Sequence, residues 1–223
     1  MNDSTTHKTN GKTKQHFNAI NVTVRRGDKV LLNDVNFSLA PKQLLRIIGA
    51  NGSGKTSLLR VIAGLSEPDA GEIKWHGYNI KGSESYSQNL GYIGHRDGIK
   101  TSLTAIENLY FYQRLHQAND DDAINQVLHK LRLLDHADIT SGLLSFGQRR
   151  RLAFARLLLT PQLLWLLDEP FTGIDVDGRA LIESLCIEHL NNSGMIIMTH
   201  HGSLDHSELC DYENQLDLAS IAA

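Results

Sequence analysis

Cysteine is scarce in this 223-residue chain: Cys186 and Cys210 stand apart, outside any C-x-x-C pattern, so neither a disulfide framework nor a zinc site is expected. That usage suits a reducing compartment. Long apolar runs are missing too. The longest, at residues 157–159 and 163–167, fall far short of the roughly 20 residues that a membrane-crossing helix needs. Basic charge is not in excess, with 22 Lys and Arg against 25 Asp and Glu and a net charge of -3, so the chain shows no nucleic-acid footprint. Residues 1–16 carry Lys, Asn, Thr and His without an apolar segment, which argues against a secretory signal and for a disordered tail. No repeat or low-complexity linker interrupts the rest, and the length fits one large domain at 17–223.

What is present is a sequence of short β-type runs at 20–24, 30–32, 35–39 and 44–48, the last leading into a glycine-rich turn. A helix is predicted from Lys55 through Leu58, Leu59 and Ile62, with Gly64 as its left-handed stop. Pro68 and Gly71 mark a turn, and residues 90–93 read as a strand. Residues 104–134 show helical spacing through Ile106, Leu109, Tyr110, Ile124, Val127, Leu128 and Leu131. Helix 148–159, strand 163–167, helix 176–190 and strand 195–199 follow, the alternation expected of a parallel sheet.

Gly49-Ala50-Asn51-Gly52-Ser53-Gly54-Lys55-Thr56 satisfies G-x-x-x-x-G-K-[ST], between a buried-type strand and a helix as that motif requires. Its glycines let backbone N–H groups close around phosphates, and the helix N-terminus through Ser57 adds a positive dipole. Lys55 would reach the outer phosphates of ATP, and Thr56 would offer its hydroxyl to Mg²⁺. The apolar run 163–167 ends in Asp168-Glu169, two acids at the carboxyl edge of the sheet. Asp168 would hold Mg²⁺, directly or through water, and Glu169 would polarise an attacking water as general base. Taken alone, the pair also fits a solvated strand end or the start of a helix.

Leu144-Ser145-Phe146-Gly147-Gln148 precedes the basic amphipathic helix Arg149-Arg150-Arg151-Leu152-Ala153-Phe154-Ala155-Arg156. By itself this is a serine helix cap. Between the phosphate loop and the acid pair it resembles the ABC ATPase signature, with Phe146 where a second glycine is usual. The resemblance implies an α/β P-loop ABC ATPase fold with a mixed sheet core, an N-terminal antiparallel part and a helical subdomain at about 95–160. It also implies that Ser145, Gly147 and Gln148 meet the γ-phosphate of ATP held by a second copy, so that a homodimer sandwiches two nucleotides. Asp175 in Thr172-Gly173-Ile174-Asp175 resembles the D-loop residue and His200 the switch histidine, with His201 a competitor that spacing disfavours. Two positions depart from the family: His95 stands where a Q-loop glutamine is usual, and Arg26, before Gly27, where an aromatic usually stacks on adenine. Arg26 could stack through its guanidinium plane. His95 or Arg96 could take the glutamine's role.

Across nearly the whole chain the phrasing is similar to one branch, the haem-exporter ATPases of cytochrome c maturation. The words that carry it are Gly94-His95, Gly98-Ile99-Lys100-Thr101, Leu103-Thr104-Ala105-Ile106-Glu107-Asn108-Leu109, Asp168-Glu169-Pro170-Phe171-Thr172 and Ile174-Asp175. That branch implies transmembrane partners (CcmB, CcmC and CcmD) at the cytoplasmic face of a bacterial inner membrane. The surface near residues 98–115 is the expected seat of the partner's coupling helix, unless it is simply an amphipathic core helix.

Overall fold

The computed structural model describes residues 16–116, 118, 120–204 and 207–220. Its centre is a five-stranded parallel sheet in the order β6(Leu90–Ile93), β7(Leu164–Asp168), β8(Met195–Thr199), β3(Leu44–Ile48), β9(Glu213–Asp217). Strands β7 and β8 are buried along their whole length, which explains their unbroken apolar sequences. Alternate residues serve opposite faces. Leu45, Ile47, Leu164, Leu166, Met195 and Ile197 enter one core, while Leu44, Trp165, Leu167, Ile196 and Met198 enter the other.

The first core is closed by α1(Lys55–Ile62) and by a four-stranded antiparallel sheet. That sheet runs β2(Lys29–Leu39), β1(Phe17–Arg26), β4(Ala70–Trp75), β5(Tyr78–Asn79). Parallel and antiparallel strands thus fall into two sheets of a single sense each. The second core is covered by α3(Ala105–Leu115), α4(Asp121–Lys130), α5(Phe146–Leu158) and α6(Val176–Asn191), of which α3, α4 and α5 pack on one another. A further helix, α2(Glu84–Asn89), precedes β6.

Residues 30–32 and 35–39, read as two strands, are one. Asn33-Asp34 is a bulge within β2, with Asp34 at φ 56 facing Asn21 at φ 51, and the Asn21 amide donates to Asp34 at 2.6 Å. The turn expected at Gly71 is part of β4. Gly71 sits at φ 81, and a Cβ there would lie 2.2 Å from the carbonyl oxygen of Asn21, so only glycine lets β4 approach β1. Gly71→Ala is therefore expected to destabilise the fold by about 2–4 kcal/mol, read as a lowered midpoint of denaturant unfolding. Gly64, at φ 70, ends α1 as expected: the Leu65 N–H donates to the Arg60 carbonyl at 2.9 Å. The tail expectation for 1–16 lies outside the described residues except at His16, whose N–H donates to the Leu39 carbonyl.

Among the described residues no helix is long and apolar enough to cross a membrane.

Candidate functional site

Strand β3 delivers its chain into a loop whose glycines do what other residues cannot. Gly49, Gly52 and Gly54 lie at φ 152, 82 and 101; a Cβ on Gly49 would meet Ser53 Oγ at 2.6 Å. Gly54 is the N-cap of α1 and supplies no side-chain acceptor, so the first-turn N–H groups stay open toward the loop. Lys55 is buried and donates from Nζ to the carbonyls of Gly49 (2.8 Å) and Ala50 (3.0 Å), arching over the loop. Ser53 Oγ is buried without a hydrogen-bond partner. Open amides, an ammonium and an orphaned hydroxyl together suit a polyphosphate.

Thr56, exposed on the first turn of α1, donates to Asp168 Oδ2 at 3.3 Å. Asp168 is 4% exposed, and its Oδ1 accepts from Thr199 Oγ1 at 2.7 Å; Thr199 Oγ1 in turn accepts from the Glu169 N–H at 3.0 Å. No Lys, Arg or His side chain pairs with the Asp168 carboxylate among the described residues. A buried carboxylate served only by hydroxyls is suited to receive a cation. Oxygen donors on Thr56 and Asp168 fit magnesium, which is held by a few such ligands together with substrate phosphates.

Glu169 sits at φ 50, a backbone state uncommon for a residue with a Cβ. Its Oε2 accepts from Thr172 Oγ1 at 3.3 Å, and the ring nitrogens of His200 and His201 stand 3.6 Å from Oε2 and 3.2 Å from Oε1. Burial pushes this carboxyl up, but His200, His201 and Thr172 outweigh it and hold the group below the usual carboxylate range. His200 is buried with its ring edge against Phe171, and neither ring nitrogen has a hydrogen-bond partner. The disfavoured His201 thus lies nearer the carboxylate than His200 does.

The other predicted residues are elsewhere. Ser145 is the N-cap of α5 in a capping box: its Oγ accepts from the Gln148 N–H at 3.2 Å, and Gln148 Oε1 accepts from the Ser145 N–H at 2.8 Å. The hydroxyl proton of Ser145 remains available for a further acceptor. Asp175 caps α6 through the Gly178 N–H at 2.8 Å. Ser145, Phe146, Gly147, Gly173, Ile174 and Asp175 border one open depression, whose lining includes no residue of the phosphate loop. Phe146 lies across Gly173, where a Cβ would come within 2.8 Å of the ring. His95 is exposed, and no hydrogen bond or ion pair joins it to Asp168 or Glu169 among the described residues. Arg26 is exposed at the end of the β1–β2 hairpin; two pairs back, Val24 faces Leu32, whose side chain touches the Cβ direction of Gly54.

Sequence reasoning missed Thr199, Arg150 and Arg46. Arg46 is buried and pairs with half-buried Glu213, and it donates to the Gly202 carbonyl at 2.7 Å, bracing the segment after His201. A charged residue inside the apolar run 44–48 was the available signal.

A parallel sheet that presents a phosphate loop, an acid pair and a capped signature helix defines an ATP-binding ATPase of the ABC class. The family model for ABC transporters matches residues 32–172. The chain is 44% identical over 187 residues to the cytochrome c biogenesis ATP-binding export protein CcmA of Yersinia pestis bv. Antiqua, covering 83% of this chain and 86% of that one. To the protein of the same name from Methylococcus capsulatus it is 47% identical over 182 residues, covering 81% and 88%. In structure it is similar to an ABC transporter ATP-binding protein from Pyrococcus furiosus, with a TM-score of 0.79 at 22% identity, covering 93% and 99% of the two chains. The chain belongs to the ABC transporter family, among the CcmA-type ATP-binding export proteins of cytochrome c biogenesis.

Proposed function

We propose that this ATPase drives haem handling for cytochrome c maturation from the cytoplasmic face of a bacterial inner membrane, attached to CcmB-, CcmC- and CcmD-like subunits. The observation that carries the chemistry is the hydrogen-bonded run Thr56–Asp168–Thr199–Glu169, which fixes two acids of different environment beside the phosphate loop. The pathway rests on the relatives' identity over more than four fifths of the chain.

In this reading residues 49–57 cradle the triphosphate, with Arg26 beside the base. Thr56 and Asp168 hold Mg²⁺, which supplies charge neutralisation to the phosphates when bound. Glu169, ionised near neutral pH, takes a proton from water aligned for in-line attack, and His200 steadies that water and the γ-phosphate. Because Ser145, Gly147 and Asp175 share a depression that does not include the phosphate loop, their phosphate partner, with that of Gln148 beside them on α5, comes from a second copy. Two copies then close over two ATP molecules and reopen after hydrolysis. Residues 95–160 form the helical subdomain. The loop holding His95, and the exposed Phe111 and Leu115 of α3, face the membrane subunits.

The test is a tagged full-length chain retrieved from membranes. It is expected to bring membrane subunits with it, to release phosphate from ATP, and to be required for covalent haem in c-type cytochromes. Full c-type cytochrome in cells lacking the chain would reject the pathway; phosphate release in the retrieved complex would then point to another cargo.

A further inference from the structure

Arg150 lies one turn into α5, five residues after the Ser145 cap, and is 2% exposed. Its guanidinium has five N–H donors, and all of them are used. Nε donates to the Pro170 carbonyl (3.3 Å); Nη1 donates to the Gly94 carbonyl (3.2 Å) and Asp97 Oδ1 (2.8 Å); Nη2 donates to the carbonyls of Asp168 (2.7 Å) and Glu169 (2.8 Å). One rigid plane therefore joins three segments: the signature helix, the loop after β6, and the turn after β7.

Two of these contacts bear on chemistry. The left-handed backbone of Glu169 is held from both sides, its N–H by Thr199 and its carbonyl by Arg150. A φ of 50 persists only where the surroundings impose it. The Asp97 carboxylate is the group that pairs with the buried Arg150 charge, so the position of the 94–98 loop and the stability of that charge are linked. Arg156, two turns further along α5, also donates to this loop, at the Gly98 carbonyl (3.2 Å).

We propose that Arg150 is a positioning residue that couples the 94–98 loop to the backbone of Glu169, so that displacement of the loop by a membrane partner changes how the base is presented. The proposal rests on the reading of Glu169 as base and of this loop as partner-facing. Lysine cannot substitute, because a point ammonium with three donors cannot span five acceptors in a plane.

The experiment compares wild type, Arg150→Lys, Asp97→Asn and Glu169→Gln, as the full chain alone and in the complex retrieved from membranes. Folded Arg150→Lys is expected to lose about tenfold to a hundredfold in kcat with KM for ATP within about threefold, since the phosphate loop is untouched. Asp97→Asn is expected to keep the basal turnover of the isolated chain within about twofold while losing most of the stimulation seen in the complex. Wild-type kcat in folded Arg150→Lys, a loss confined to KM, or normal stimulation of Asp97→Asn would each overturn the proposal. If Arg150→Lys does not fold, Asp97→Asn decides alone. Retained turnover in Glu169→Gln would instead sink the base assignment; an inactive Glu169→Gln beside normal Arg150→Lys and Asp97→Asn would sink only the coupling.

Discussion

Replacing Glu169 by Gln is expected to lower ATP turnover by about 10²–10⁴-fold while leaving ATP bound, because the amide keeps the side chain's shape but takes no proton from water. The surroundings would make the wild-type group competent in the proposed role. His200, His201 and Thr172 more than offset the effect of burial, so the carboxyl titrates below its usual range and stays ionised across neutral pH. The sign follows: as the proposed base it would be active above that depressed pKa and would lose that capacity only as pH falls through it. Thr172 can still donate to the remaining carbonyl of the glutamine, and the N–H bond from Glu169 to Thr199 belongs to the backbone, so local structure survives. With hydrolysis stopped and binding spared, the proposed ATP-closed dimer is expected to accumulate. Single-turnover phosphate release and the mass of the particle in ATP measure the two halves of the expectation. Turnover within about twofold of wild type would remove Glu169 from the mechanism.

The elements readable from sequence were those whose chemistry is local. Gly49 to Thr56 names its own loop, strands β7 and β8 are apolar because both faces are buried, and α5 begins at the serine that caps it. What was not readable depends on neighbours distant in the chain. Strand β9, with the sequence ENQLD, is polar and forms because an edge position beside β3 needs only its backbone and Leu216. Asn33-Asp34 looked like a break between strands, since nothing nearby reveals that Asn21 faces it across the sheet. Thr199 gained its place through the register that sets it opposite Asp168, and Arg150 through the convergence of three segments on one helix face. His201 was set aside by spacing, yet the turn after β8 brings it within 3.2 Å of Glu169. Side chains that act on their own segment leave a local pattern; Thr199 and Arg150, which tie segments together, do not.

Lys55→Ala is expected to weaken ATP binding by at least about a hundredfold, the equivalent of roughly 3 kcal/mol. Two losses combine. The ammonium supplies the positive side chain of the phosphate loop, and hydrogen bonds to charged groups contribute about 1.5–3 kcal/mol each. It also donates to the carbonyls of Gly49 and Ala50, so its removal leaves the loop without the contact that holds its first residues over the helix N-terminus. Lys55 is buried, and alanine leaves a gap where the stem lay, but α1 keeps its apolar face of Leu58, Leu59, Val61 and Ile62 and the fold should persist. Titration with a slowly hydrolysed ATP analogue, alongside circular dichroism to show an intact fold, separates lost affinity from lost structure. Near-wild-type affinity in a folded Lys55→Ala protein would mean that the open amides of residues 49–57 alone bind the phosphates, and the charge-based account of this loop would have to be abandoned.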